Sequence, residues 1–166
     1  LMAVALLEMA PESFRLSPRL GPILLMAGYC IVHLLEHTIN SHFHYGEETH
    51  RGELVTRHTG NAVLVGLSVH ALFDGVAIGS GFVVSNWLGW LIFLAIFLHK
   101  APEGFTMASV MLASGRSRTI ALYSAVGLAA ATLLGVLIIE VLPTWLSYGL
   151  PISAGVAIYV GATDLV

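Results

Sequence analysis

Charged residues are scarce in this sequence. Only 10% of its 166 residues are charged and 57% are hydrophobic, whereas charged residues make up about 25% of an ordinary soluble domain. A water-soluble fold of this size could not bury so much apolar surface and still cover itself with charged groups. The composition therefore indicates an integral membrane protein whose main partner is the lipid bilayer.

Basic residues and cysteines are also scarce. The net charge is -3 and there is no basic patch, so no nucleic acid is expected as a partner. Cys30 is the only cysteine, which excludes a disulfide within the chain. Because Cys30 lies in an apolar run, we expect it to be a buried small hydrophobic residue.

The apolar runs predict five membrane-spanning helices and a fragment of another, since a span needs about 17 to 25 residues. The fragment is 1–7, and the spans are 21–39, 62–84, 91–113, 120–139 and 152–166. Turns are expected at 17–22, 85–90, 114–118 and 142–151. The prediction is an all-α, multi-pass bundle forming one membrane domain over 1–166, which we expect to be truncated at both ends.

Residues 40–60 form the longest polar segment, which we expect to be a histidine-rich loop. Its histidines are His42, His44, His50 and His58. Alternating the spans puts four arginines on the side of this loop (51, 57, 116 and 118) and two on the other (15 and 19). This excess favours a cytoplasmic loop, which would buffer or sense metal; the alternative is a solvated polar linker.

Two central spans carry the same polar interruption. His70 and Asp74 are four residues apart, as are His99 and Glu103, so each pair lies on one helical face, about 6 Å apart. Together they offer two imidazoles and two carboxylates, which suit Zn, Fe(II), Mn, Co or Cd. The alternative is that each group only satisfies a neighbouring helix, but charged groups in a bilayer core cost roughly 2.5 to 3.5 kcal/mol each.

Two residues beside His99 modify this hypothesis. Pro102 has no N–H for the carbonyl of Leu98, which predicts a kink in the helix, and broken helices are typical of transport sites. Glycines at 75, 79, 81 and 104 fit such a helix, or close helix packing. Lys100 either extends away from the site or pairs with Asp74 or Glu103; its mid-span position favours pairing, in the place of a second metal.

A further pattern, His33-Leu-Leu-Glu36-His37, matches HxxEH, in which two histidines hold zinc and the glutamate is the base of an inverted zinc peptidase. An intramembrane metalloprotease is therefore the alternative function. We favour a metal-collecting face that leads into the loop.

The central motifs resemble a known family. His70-Ala-Leu-Phe-Asp74-Gly75 and His99-Lys-Ala-Pro102-Glu103-Gly104 resemble the fourth and fifth transmembrane helices of ZIP (Zrt/Irt-like) metal transporters, where HNxPEG and related motifs recur. The segment 8–13 resembles the end of the family's second helix, 42–58 falls at its histidine-rich loop, and 154–166 resembles its seventh helix. The resemblance thus implies helices two to seven of an eight-helix fold with inverted repeats.

The resemblance also implies that His70, Asp74, His99 and Glu103 bind the transported ion. This chain departs from the family pattern at Ala71, where asparagine is usual, at Asp74, where glutamate is more frequent, and at Lys100, where many members have a second acid. Residues 120–139 lack the carboxylate that some members contribute. These departures favour one metal beside a lysine ammonium over a two-metal centre.

The resulting hypothesis is a transporter, not an enzyme, that takes up divalent metal ions, with zinc as the first expectation. The ion would enter near Glu8 and Glu12, be held at mid-membrane, and leave past an exit or accessory set consisting of His33, Glu36, His37, His42 and His44. We expect it in the plasma membrane or a bacterial inner membrane. A homodimer is left open.

Overall fold

The computed structural model describes residues 1–39 and 56–163, with side chains described in the first range up to residue 35. The helices are α1 (Met2–Val4), α2 (Ala10–Leu16), α3 (Gly21–Ile39), α4 (Arg57–Val84), α5 (Asn86–Ala113), α6 (Arg118–Val141) and α7 (Leu146–Thr163). A π-helical turn, Ala5–Met9, joins α1 to α2, and a 3-10 turn, Pro143–Trp145, precedes α7.

Among the described residues, four helical segments are long and apolar enough to cross a membrane: α4, α5, α6 and Pro143–Thr163. α3 has the predicted bounds, but its described apolar part, Gly21–Leu35, is shorter than these four. The prediction of an all-α, multi-helix membrane bundle is confirmed, and α6 is the most hydrophobic of its spans.

Several predicted connections were too long, because the helices begin earlier than their apolar runs. α4 begins at Arg57, within the predicted loop 40–60, since Thr56 caps it by accepting the Thr59 N–H at 3.2 Å. The predicted turn 85–90 is reduced to Ser85, whose hydroxyl accepts the Leu88 N–H at 3.1 Å. Polar capping groups thus set these starts, not hydrophobicity.

The prediction of a loop at 142–151 was also wrong, since helical structure resumes at Pro143 and continues through Pro151. Pro143 is tolerated because it lies in the first turn, where the N–H groups have no partner within the helix, whereas Pro151 lies inside α7.

Cys30 was predicted to be buried, but its side chain is exposed. α3 packs mainly against α7, and Cys30 lies on a face that the described residues leave uncovered. In a membrane protein an apolar sequence does not reveal which side of a helix faces its neighbours.

α4 is the central helix, in contact with α5, α6 and α7. Its approach to α6 is very close at Gly75 and Gly135: a Cβ on Gly75 would clash with the carbonyl oxygen of Thr132, and one on Gly135 with that of Leu72. Glycine is therefore required on both helices, and Gly75 directly follows Asp74.

The described core forms two apolar clusters along α4 and α5. The first contains Ala77 and Ile78 of α4 with Ile92 and Ile96 of α5. The second contains Val63 and Ala71 of α4 with Met107, Val110 and Met111 of α5. Residues 99–103 of α5 lie between the two clusters.

Candidate metal centre

The antiparallel arrangement of α4 and α5 brings the two polar pairs together. His70 and His99 both lie near the middle of 28-residue helices. Because the helices run in opposite directions, Asp74 lies level with His99, and His70 lies towards Glu103. One possible ligand atom from each of the four residues lies within 4.8 Å of all the others.

Asp74 is the centre of this cluster. Its Oδ2 atom lies 3.5 Å from His70 Nε2, 3.3 Å from His99 Nε2 and 2.7 Å from Lys100 Nζ. The carboxylate is buried, as are His70 and Glu103, while His99 is partly exposed. Three nitrogen atoms from two helices therefore surround one oxygen atom of Asp74.

The orientation of His99 suits a metal ligand. Its Nδ1 lies 3.0 Å from the carbonyl oxygen of Ala95, one turn earlier on α5. In the neutral ring a proton on Nδ1 makes this hydrogen bond and leaves the Nε2 lone pair directed at Asp74 Oδ2. Two acceptors facing each other at 3.3 Å are held together by a cation beside both or by a proton on Nε2, so the same geometry can accept a metal ion or a proton.

Lys100 supplies one such cation. Its Nζ contacts Asp74 Oδ2 at 2.7 Å and Glu103 Oε2 at 2.6 Å. The predicted pairing with the carboxylates is therefore present, and the ammonium bridges α4 and α5. The role of Lys100 as the substitute for a second metal stays a prediction.

Two buried polar atoms in the cluster have no hydrogen-bond partner within the described parts of the chain. They are Nδ1 of His70 and Oε1 of Glu103. Buried polar atoms are normally paired, so an unpaired carboxylate oxygen beside two imidazoles is a further feature that fits a metal ion. Imidazole nitrogen and carboxylate oxygen are ordinary ligands of zinc and other first-row divalent metals.

The other predicted site residues that are described lie apart from this cluster. Glu8 is exposed, and Glu12 pairs with Arg15 of its own helix at 2.8 Å. His33 is exposed at the surface of α3. The side chains of Glu36 and His37, and all of His42 and His44, lie outside the described residues. The entrance and exit roles therefore stay predictions.

The sequence interpretation missed the surroundings of His33. Its ring stacks on Tyr29 with centroids 6.4 Å apart, and Tyr159 of α7 approaches edge-on at 5.6 Å. The four-residue spacing of Tyr29 and His33 could have predicted the first contact. The second depends on how α3 packs against α7, for which the sequence carried no signal.

The fold and the site define a class: a multi-pass helical membrane protein with a histidine and carboxylate cluster near the middle of two long apolar helices. The family model described as ZIP zinc transporter matches residues 46–166. The chain belongs to the ZIP family, as the resemblance of its central motifs implied.

Curated relatives agree with this assignment. The chain is 32% identical over 95 residues to zinc transporter ZIP9 of Micropogonias undulatus, covering 57% of this chain and 30% of the relative. It is 30% identical over 95 residues to zinc transporter ZIP9 of Xenopus tropicalis, covering 57% and 31%. It is 36% identical over 72 residues to zinc transporter zipt-7.1 of Caenorhabditis briggsae, covering 43% and 17%.

These matches span less than a third of the length of the relatives. No solved structure matches the chain. The family match and the relatives are transporters, so the metalloprotease alternative built on His33, Glu36 and His37 has no support.

Proposed function

We propose that this protein carries divalent metal ions, zinc first among them, across a membrane, and that His70, Asp74, His99 and Glu103 bind the ion in transit. The observation that carries the proposal is the convergence of two imidazole nitrogens on Asp74 Oδ2, at 3.5 and 3.3 Å. Zinc comes first because the relatives are named zinc transporters. Fe(II), Mn, Co and Cd accept the same ligands.

The position of the cluster supports transport rather than storage. Apolar clusters flank it on both sides along α4 and α5. An ion bound between two apolar layers has no polar path along these helices, which fits a site reached in turn from each side as helices move. We infer uptake towards the histidine-rich loop, in the plasma membrane or a bacterial inner membrane, with Glu8 and Glu12 on the side of entry.

A single bound ion is the stoichiometry that we infer. The Lys100 ammonium lies against both carboxylates, where a second divalent ion would need the same oxygens. Electrostatic repulsion between an ammonium and two metal ions in a poorly solvated site is large, so one metal is the favoured load.

The test of this function is metal uptake into vesicles containing the intact protein. We expect His70→Ala and Glu103→Ala each to lower initial zinc uptake at least about tenfold, because loss even of an outer partner of a metal ligand costs about 10 to 100-fold. The matched controls are Ser68→Ala, which removes a hydroxyl that donates to the carbonyl oxygen of Leu64 within α4, and Glu140→Ala, which removes an exposed glutamate at the end of α6.

Both controls should transport zinc like the unmodified protein. Undiminished uptake in His70→Ala and Glu103→Ala, with normal amounts of protein in the vesicles, would rule out the proposed site.

A further inference from the structure

Lys100 is the only lysine in the chain, and its position is unusual. It lies near the middle of α5 between two buried carboxylates, and its side chain is 20% exposed. A cation near the middle of a membrane span is costly and is expected to have a function. The contacts of Lys100 suggest a function that the four candidate ligands do not provide.

We propose that Lys100 is a built-in counter-ion: its ammonium neutralises the carboxylates when no metal is bound, and moves off Asp74 when the metal arrives. The proposal rests on the proposed function, since it concerns the unloaded state of the same site. In this role Lys100 is a positioning residue that controls affinity and the return of the empty site, not a metal ligand.

The charge balance of the empty site is the first argument. Asp74 and Glu103 together carry two negative charges in a buried environment, where an uncompensated charge is strongly unfavourable. A transporter with alternating access must reorient its site without metal in every cycle. The Lys100 ammonium, at 2.7 and 2.6 Å from the two carboxylates, leaves one net negative charge instead of two.

Competition for one oxygen is the second argument. The Oδ2 atom of Asp74 is the oxygen that faces both imidazoles and also the one that Lys100 contacts. A metal bound by this oxygen and by His70 and His99 therefore has to replace the ammonium there. Lys100 and the metal cannot hold the same face of Asp74 together.

Glu103 can still bind the Lys100 ammonium after the metal has displaced it from Asp74. Its Oε2 binds Lys100, while its Oε1 is buried without a partner in the described structure. Glu103 can therefore offer Oε1 to the metal while Oε2 retains the ammonium. The lysine then acts as a tethered competitor that lowers affinity, which favours release of the ion, since conduction requires binding weak enough to let the ion leave.

Isotope labelling of lysine allows a direct test on the unmodified protein. We would label lysine with ¹⁵N at Nζ and ¹³C at Cε, identify the Lys100 signal by its absence from the spectrum of Lys100→Met, and add zinc to the intact protein in nanodiscs. Zinc should shift this signal until one equivalent is bound, whereas Mg²⁺, which prefers oxygen ligands, should not. An unmoved Lys100 signal, together with zinc binding in equilibrium dialysis that His70→Ala abolishes, would overturn the proposal.

A variant provides the second arm. Lys100→Met keeps a long side chain without its charge, and we expect it to bind zinc about 5 to 150-fold more tightly, the usual range of coupling between two binding events. Its metal-free form should melt at a lower temperature than the metal-free unmodified protein, and bound zinc should remove this difference in melting temperature. Lys100→Arg, which keeps the charge, should stay closer to the unmodified protein in both measurements.

Equal or weaker zinc binding by Lys100→Met, with an unchanged melting temperature of the metal-free form, would contradict the counter-ion role. Failure of the unmodified protein to bind zinc at all would instead remove the proposed function. The two failures are therefore distinguishable.

Discussion

Replacing Asp74 with asparagine is expected to lower zinc affinity by at least about 100-fold. The substitution keeps the size of the side chain but removes its charge, at the carboxylate that lies within 3.5 Å of His70, His99 and Lys100. Mutation of an outer partner of a metal ligand already costs about 10 to 100-fold in affinity. Loss of a charged ligand at the centre of the cluster should exceed that range.

The effect should be larger than that of His70→Ala, because Asp74 links both helices. Its Oδ2 accepts a hydrogen bond from the ammonium of Lys100 and lies 3.3 Å from the Nε2 atom of His99, both on α5. Asparagine offers Lys100 a neutral oxygen, which leaves Glu103 as the one carboxylate beside the ammonium in the described cluster. Binding to the purified protein can be measured by competition with a chelating dye, and transport by uptake into vesicles.

The control for Asp74→Asn is Ser68→Ala, which removes a polar group from the same helix. The Ser68 hydroxyl donates to the carbonyl oxygen of Leu64 at 2.7 Å, so its loss leaves the cluster unchanged. Ser68→Ala should bind zinc as the unmodified protein does. An affinity of Asp74→Asn within about threefold of that control would show that Asp74 is not a ligand.

The members of the candidate site were predictable from the spacing of the residues on each helix and from the short connection between the two helices. A spacing of four residues puts His70 and Asp74 on one helical face, and it does the same for His99 and Glu103. A short connection makes α4 and α5 antiparallel neighbours, so the faces meet, and the four residues lie together in the structure. The number of spans depended on apolar run length, which is also a local property.

The hierarchy within the site was not predictable. The family resemblance implied four ligands with His70 and Glu103 the firmest, whereas in the structure three nitrogens surround one oxygen of Asp74. That arrangement depends on side-chain rotamers and on the distance between α4 and α5, which are set by packing rather than by spacing. The hydrogen bond between His99 and the carbonyl of Ala95 is a similar detail of one rotamer.

The predictions of helix boundaries and of buried helix faces were wrong for different physical reasons. Ser85 ends the turn at once because its hydroxyl caps α5, although the residues after it had suggested a longer connection. The exposure of Cys30 was not predicted, because lipid and protein interior are equally apolar and hydrophobicity does not distinguish one side of α3 from the other. Packing against α7 decides that face, and no local pattern encodes it.

Gly75→Ala is expected to destabilise the protein by about 3 kcal/mol, the upper part of the usual range for overpacking. A methyl group at Gly75 would meet the carbonyl oxygen of Thr132 and the backbone of Gly135. Because both obstacles are backbone atoms, no side-chain rotation can make room, and α4 and α6 must separate. Asp74 precedes this position, so the same shift should weaken zinc binding about tenfold or more.

Gly127→Ala is the matched control, since the same substitution on α6 would meet no atom within 4 Å. Alanine is a better helix former than glycine by about 1 kcal/mol, so this variant should be unchanged or slightly more stable. Thermal melting of both variants in detergent, with and without zinc, measures the difference. If Gly75→Ala and Gly127→Ala melt at the same temperature, the close approach of α4 and α6 does not fix the position of Asp74.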